Sequence, residues 1–174
     1  MIGIPRTTPA PPPVSAAELH EWFADALPDD WFVADVEVLH DADEIVVTGD
    51  LGTATAGLTD EQQIVAFREA TRDQRIDIAE RAQARFRRTV SWGATCGELT
   101  ARFTHVSAPA MTRLRIEERQ VLDTLIDGGV ARSRSEALAW CVRLVAQHEA
   151  DWIADLREAS ESIRAVRERG PDGS

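Results

Sequence analysis

The chain has 174 residues, about one domain's worth with room for two small ones, and its 44% hydrophobic and 28% charged residues are an ordinary globular composition. No apolar run approaches the roughly 18–20 residues of a membrane-spanning helix, and the opening MIGIPRTTPAPPP lacks the apolar core of a secretory signal, so a cytoplasmic protein is expected. The net charge of −11 weighs against nucleic acid as a sum, but residues 1–59 carry −10 of it, while residues 60–110 and 111–148 carry +1 each, which leaves a nucleic-acid site further along open.

In chain order, residues 1–14 hold five prolines and read as a flexible extended arm. Order is expected from Ser15, where Ser15 and Glu18 form a capping box and Leu19, Trp22, Phe23 and Leu27 share a helical stripe that Pro28 ends. Trp31–Leu39 and Glu44–Leu51 are β-rich runs joined by His40, Asp41, Ala42 and Asp43, the pattern of a hairpin. From Asp60 to about Arg88 there is no proline or glycine, so one long helix is predicted, capped by Thr59, burying Ile64, Phe67, Ile78, Ala82 and Phe86 and carrying an exposed Asp77–Arg81 pair. Glycines 93 and 97 interrupt the pattern, and Leu99, Ala101 and Phe103 then alternate with polar residues as a strand. Residues 15–107 therefore read as an acidic α+β domain of order αββαβ.

After Pro109 the pattern changes. Met111–Ile116 alternates, setting Leu114 and Ile116 with Thr112 on one face and Arg113 and Arg115 on the other, as a short two-faced ribbon. Glu117–Gly128 has helical spacing at Val121, Leu122, Leu125 and Ile126, ends at Gly128-Gly129, and is followed by a helix starting at Ser133 with Glu136 as its capping-box partner. From Leu138 through Val142, Val145, Glu149, Trp152, Leu156, Ala159 and Ile163 to Val166 the spacing alternates four and three. That stripe fits either a coiled coil extending a dimer or a face packed on the same chain's α+β domain, along a helix that Gly170 and Pro171 end.

The order of arginine-faced strand, helix, glycine turn and a helix opening Ser133-Arg134-Ser135-Glu136, together with the stretch GGVARSRSEALAWCVRLV, resembles the ribbon-helix-helix family of DNA-binding dimers, in its ParD-type antitoxin branch. The resemblance covers residues 110–148. It implies a module over 108–148 in which two chains pair their strands into an antiparallel ribbon that enters the major groove of double-stranded DNA; the helical stripe, read on its own, adds a C-terminal helical extension over 149–170. A ribbon fits that groove, and arginine donates two bonds to guanine there, which assigns base contacts to Arg113 and Arg115. The N–H groups of a helix start hold phosphate, which assigns Ser133, Arg134 and Ser135 to the backbone of the DNA.

The expected whole is a homodimeric, non-enzymatic DNA-binding protein, a transcriptional regulator whose N-terminal domain senses a ligand or docks a protein. The alternative is an antitoxin-like interaction module that uses the fold only to dimerise. Catalysis finds no support, since His20, His40, His105 and His148 fall in different elements with no HExxH, GxSxG, P-loop or GxGxxG spacing. No cofactor is expected. A metal site is not expected either, because Cys96 and Cys141 make no CxxC pair and the His40, Asp41, Asp43, Glu44 group is explained by turn-making. The segment around Trp92 and Cys96 reads equally as a joint between domains or as the lining of a pocket.

Overall fold

The computed structural model describes residues 11–170, and the chain divides into two compact units, Met1–Pro109 and Ala110–Ser174. The expected proline arm falls largely on residues 1–10, outside the described residues.

The first unit runs α1 (Ala16–Ala26), β1 (Glu37–His40), β2 (Glu44–Asp50), α2 (Asp60–Ala70), α3 (Arg72–Phe86), β3 (Thr89–Cys96) and β4 (Leu99–Arg102). Its sheet has the order β1-β2-β3-β4, with β2 and β3 parallel and both outer pairs antiparallel. A parallel pair needs a long crossover, which α2 and α3 supply. Strand alternation puts Val38, Ile45, Val47, Val90, Trp92, Ala94 and Cys96 on one face, where Leu19 and Phe23 of α1, Ile64 of α2 and Ile78, Ala82 and Phe86 of α3 complete the core. The opposite face carries Thr48, Ser91, Thr95, Thr100 and Arg102 and is mostly polar, with the buried Val46 and its partner Leu39 as its apolar members.

The sequence expectation of α+β holds, but the order is αββααββ rather than αββαβ. The predicted single helix over 60–88 is two helices meeting at Thr71. Its N–H and Oγ1 both donate to the Phe67 carbonyl, at 3.0 and 2.7 Å, so the hydroxyl competes for the helix's own acceptor. Arg75 fastens the break: Nε donates to Thr71 Oγ1 (3.0 Å), Nη2 donates to the Arg68 carbonyl (2.7 Å), and the guanidinium lies over the Phe103 ring at 4.8 Å. Burial pushes the Arg75 pKa down from the ordinary guanidinium value, and the nearby Arg68 and Arg72 add to that. The second departure is β3, which the sequence pattern reads only as an interruption. It is one of the two inner strands: Thr89, Ser91 and Thr95 alternate with Val90, Trp92 and Cys96, but Gly93 within it and Gly97 at its end read locally as breaks, and pairing with β2 and β4 fixes it as a strand.

β3 also accounts for the unexplained Trp92 and Cys96, which are core residues of this unit. Trp92 meets Phe23 and Trp31 edge-on, with ring centroids 6.2 and 6.3 Å away, and its buried Nε1 has no hydrogen-bond acceptor among the described residues. The Cys96 thiol is fully buried and donates to Asp60 Oδ1 at 3.6 Å; burial first, then the Asp60 charge, raises its pKa. In the β1–β2 turn, Asp41 Oδ1 accepts the N–H groups of Asp43 and Glu44 at 2.8 Å each. The Trp31–Leu39 run forms a strand only from Glu37.

The second unit holds α4 (Ile116–Asp127), α5 (Arg134–His148) and α6 (Ala150–Arg169). Its buried hydrophobic residues, among the described ones, are Leu122, Ala131 and Ala137, with the partly buried Leu114, Leu125, Ile126, Leu138 and Cys141 packed against them. The ribbon predicted over Met111–Ile116 is not a strand in the single chain: residues 111–115 have no regular structure and Ile116 already belongs to α4. A strand without a partner leaves its N–H and C=O groups unpaired, which disfavours it in isolation. The continuous stripe predicted from Leu138 to Val166 is broken at Glu149, where φ −118° and ψ 32° end α5 before α6 begins. No helix among the described residues is long and apolar enough to cross a membrane.

Candidate nucleic-acid interface

Leu114 packs partly into the small core of the second unit, and Arg113 and Arg115 on either side of it are exposed. The segment is tied down at its C-terminal end. The Arg115 N–H donates to the Glu118 carboxylate at 2.6 Å, and Arg119 Nη1 donates to the Leu114 carbonyl at 2.6 Å. Glu118 therefore caps α4 through a backbone contact, consistent with an acid at a helix's positive end. Neither Arg113 nor Arg115 forms an ion pair among the described residues.

The turn between α4 and α5 depends on Gly129, whose φ of +75° lies in the left-handed region that side chains disfavour. The Val130 and Ala131 N–H groups then return to the Leu125 carbonyl at 2.9 and 3.3 Å, which buries Ala131 and aims the chain into Ser133. Ser133 is the N-cap of α5, and its Oγ accepts the Glu136 N–H at 3.2 Å. The reciprocal arm of the predicted capping box is shifted by one residue, since the Glu136 carboxylate takes the Arg132 N–H at 2.8 Å. Arg134 and Ser135 occupy the first two helical positions, whose N–H groups have no acceptor within a helix.

Arg134 is committed within its own chain. Its Nε and Nη2 reach Asp123 Oδ1 and Oδ2 at 2.7 Å each, a two-pronged pair joining α5 to α4. The Arg134 hydrogen bond holds the Asp123 carboxyl below its usual range, and Asp123 raises the Arg134 pKa in return. Sequence reasoning missed Asp123 and Arg119. The signal was an acid four residues after an arginine on α4, a spacing that puts the two on one helix face. Ser133, Arg134 and Ser135 thus cluster by chain continuity at an exposed helix start, while Arg113 and Arg115 sit in a separate exposed segment. Among the described residues, no three His, Cys, Asp or Glu side chains gather as metal ligands.

Comparison with known proteins divides the chain at the same place. Residues 17–102 match the N-terminal domain of Rv1265-like proteins and residues 115–167 match the Mb1296 C-terminal domain. Uncharacterized protein Rv1265 of Mycobacterium tuberculosis H37Rv is 47% identical over 161 residues, which cover 87% of this chain and 70% of that protein. The chain belongs to the Rv1265-like family. Uncharacterized protein MT1303 of M. tuberculosis CDC 1551 and uncharacterized protein Mb1296 of Mycobacterium bovis match to the same extent, 47% over 161 residues. No solved structure gives a significant match.

Proposed function

We propose that the chain is a cytoplasmic, non-enzymatic DNA-binding homodimer, a transcriptional regulator whose residues 110–148 act as a ribbon-helix-helix module. The observation that carries the reading is the arrangement around Leu114: its side chain turns toward the core while Arg113 and Arg115 are exposed and without ion pairs among the described residues. Pairing two such segments would satisfy their backbone groups and carry four arginines, two from each chain, on one ribbon face. The size of the second unit's core supports dimerisation. Three buried hydrophobic residues among the described ones are little for a unit spanning Ala110–Ser174, while Met111, Ile116, Val121, Val142 and Val145 are exposed.

In this reading Ser133 and Ser135 present the start of α5 to a phosphate, and Arg134 orients that start through Asp123. The N-terminal unit supplies regulation. It has an open cleft of about 550 Å³ between α1 and the 28–36 loop, lined by Leu27, Phe32, Glu21, Asp29 and Asp35 among others, as the place where a small effector would bind. The Arg134–Asp123 pair favours a second reading, in which the fold serves only to dimerise and bind a protein, because it takes one cation away from DNA.

DNA retention as a function of salt, measured at low ionic strength on the protein's own upstream sequence, separates the two. A regulator loses affinity steeply as salt rises. Arg115→Ala should cost about 1–3 kcal/mol on the specific site and leave non-specific binding nearly unchanged. Arg134→Ala should weaken all sequences alike. Wild-type protein that retains no DNA at low salt would refute the regulator.

A further inference from the structure

α6 is twenty residues long and buries none of its described side chains, with Ile153 alone half-covered. Most helical stability in proteins comes from packing one face, and an isolated helix of this length is marginal in water. The helix nevertheless carries a stripe. Trp152, Leu156, Ala159, Ile163 and Val166 follow one another at spacings of four, three, four and three, and the four large ones are 57, 45, 56 and 60% exposed.

The width of the stripe indicates what covers it. A helix packed on a globular core shows three to four apolar residues per two turns, whereas two per seven residues is the narrow seam of paired, supercoiled helices. The break at Glu149 separates this seam from Val142 and Val145 on α5, so it is an element in its own right. Its flanking positions are Ile153, Asp155, Ser160, Ser162 and Arg167. In a pair of identical helices, run either way, Asp155 meets a serine and Arg167 meets Ser162 or Ile153, so no like charges face each other. Nothing on the stripe's flanks therefore repels a second copy of itself, as a two-fold contact requires.

We infer that the α6 stripe is a second self-association surface, covered by the α6 of another copy of the chain. This rests on the dimer of the proposed function but not on DNA binding. Residues 152–166 span only about 21 Å. A contact that short buries less than the roughly 800 Å² per partner of a standard interface, so it acts together with the α4–α5 faces and clamps the same dimer.

The test uses the full chain. In wild type, sedimentation over a concentration series should give a dimer, and the double variant Leu156→Asp, Ile163→Asp should weaken association more than about a hundredfold by placing charges in the seam. Ala159 lies at the stripe's centre, where both helix directions bring it near its mate. In a Cys141→Ser background, Ala159→Cys should therefore cross-link two chains under mild oxidation, whereas Glu161→Cys on the opposite side of α6 should not. The second measurement does not depend on the charged variants folding. Association unchanged by the charges, together with no preference for position 159, would overturn the inference while leaving the ribbon dimer intact. A monomeric wild type would overturn both. Dimers that cross-link at 159 but retain no DNA would uphold the α6 contact and refute only the regulator.

Discussion

Phe23→Ala tests whether the core of the first unit is organised as described. Phe23 is fully buried at the centre of α1's contact with the sheet, its ring edge-on to Trp22 at 4.8 Å and to Trp92 at 6.2 Å. Truncating a phenylalanine at a site that collapses poorly costs about 3–5 kcal/mol. Each lost aromatic pair adds about 0.5–1.5 kcal/mol beyond area, which places this site toward the upper end. Domains of this size are stable by about 5–15 kcal/mol, so the variant should leave the unit marginal. Urea denaturation followed by tryptophan fluorescence reads the change directly, because Trp22, Trp31 and Trp92 all lie in this core or pack on it. A loss below about 1 kcal/mol, with the urea dependence unchanged, would mean that α1 does not pack on the strand that carries Trp92.

Three further outcomes follow from single contacts. Gly49→Ala would bring a Cβ within 2.3 Å of the Phe32 ring, so it should destabilise by about 1–3 kcal/mol, and Phe32→Ala in the same chain should relieve most of that in a double-mutant cycle. Asp41 accepts two backbone N–H groups, from Asp43 and Glu44, and these lower its pKa. Its contribution to stability is therefore fully present above the ordinary carboxylate pKa and lost as pH falls through the lower folded value; Asp41→Asn should flatten that part of an acid-denaturation curve. Cys96 is buried with a raised pKa whereas Cys141 is half-exposed, so a thiol reagent should label Cys141 in the folded protein and reach Cys96 only on unfolding. Because the folded thiol resists ionisation, its contribution to stability is present below the unfolded thiol pKa and lost as pH rises through the folded one.

Local chemistry was legible in the sequence wherever a residue acts on its near neighbours. Ser15, Thr59 and Ser133 cap the helices they were expected to cap, because a hydroxyl three residues before a free N–H needs nothing else. Asp77 and Arg81 approach to 3.9 Å on the exposed side of α3 for the same reason of spacing. Leu19, Phe23, Ile64, Ile78, Ala82 and Phe86 are the buried residues of the first three helices' stripes, as their periodicity required. What the sequence could not decide was set by groups distant along the chain or absent from it. Thr89–Cys96 is a strand because it pairs with β2 and β4; its own polar–apolar alternation contains Gly93 and ends at Gly97, residues that read locally as breaks until the neighbouring strands supply partners. The helix break at Thr71 stands because Arg75 reaches back to Arg68 and stacks on Phe103, a residue 28 positions further on. Arg134 read as a free cation until the α4–α5 turn set Asp123 beside it. Residues 111–115 alternate like a strand, yet backbone pairing needs a second strand, and a single chain does not provide one there.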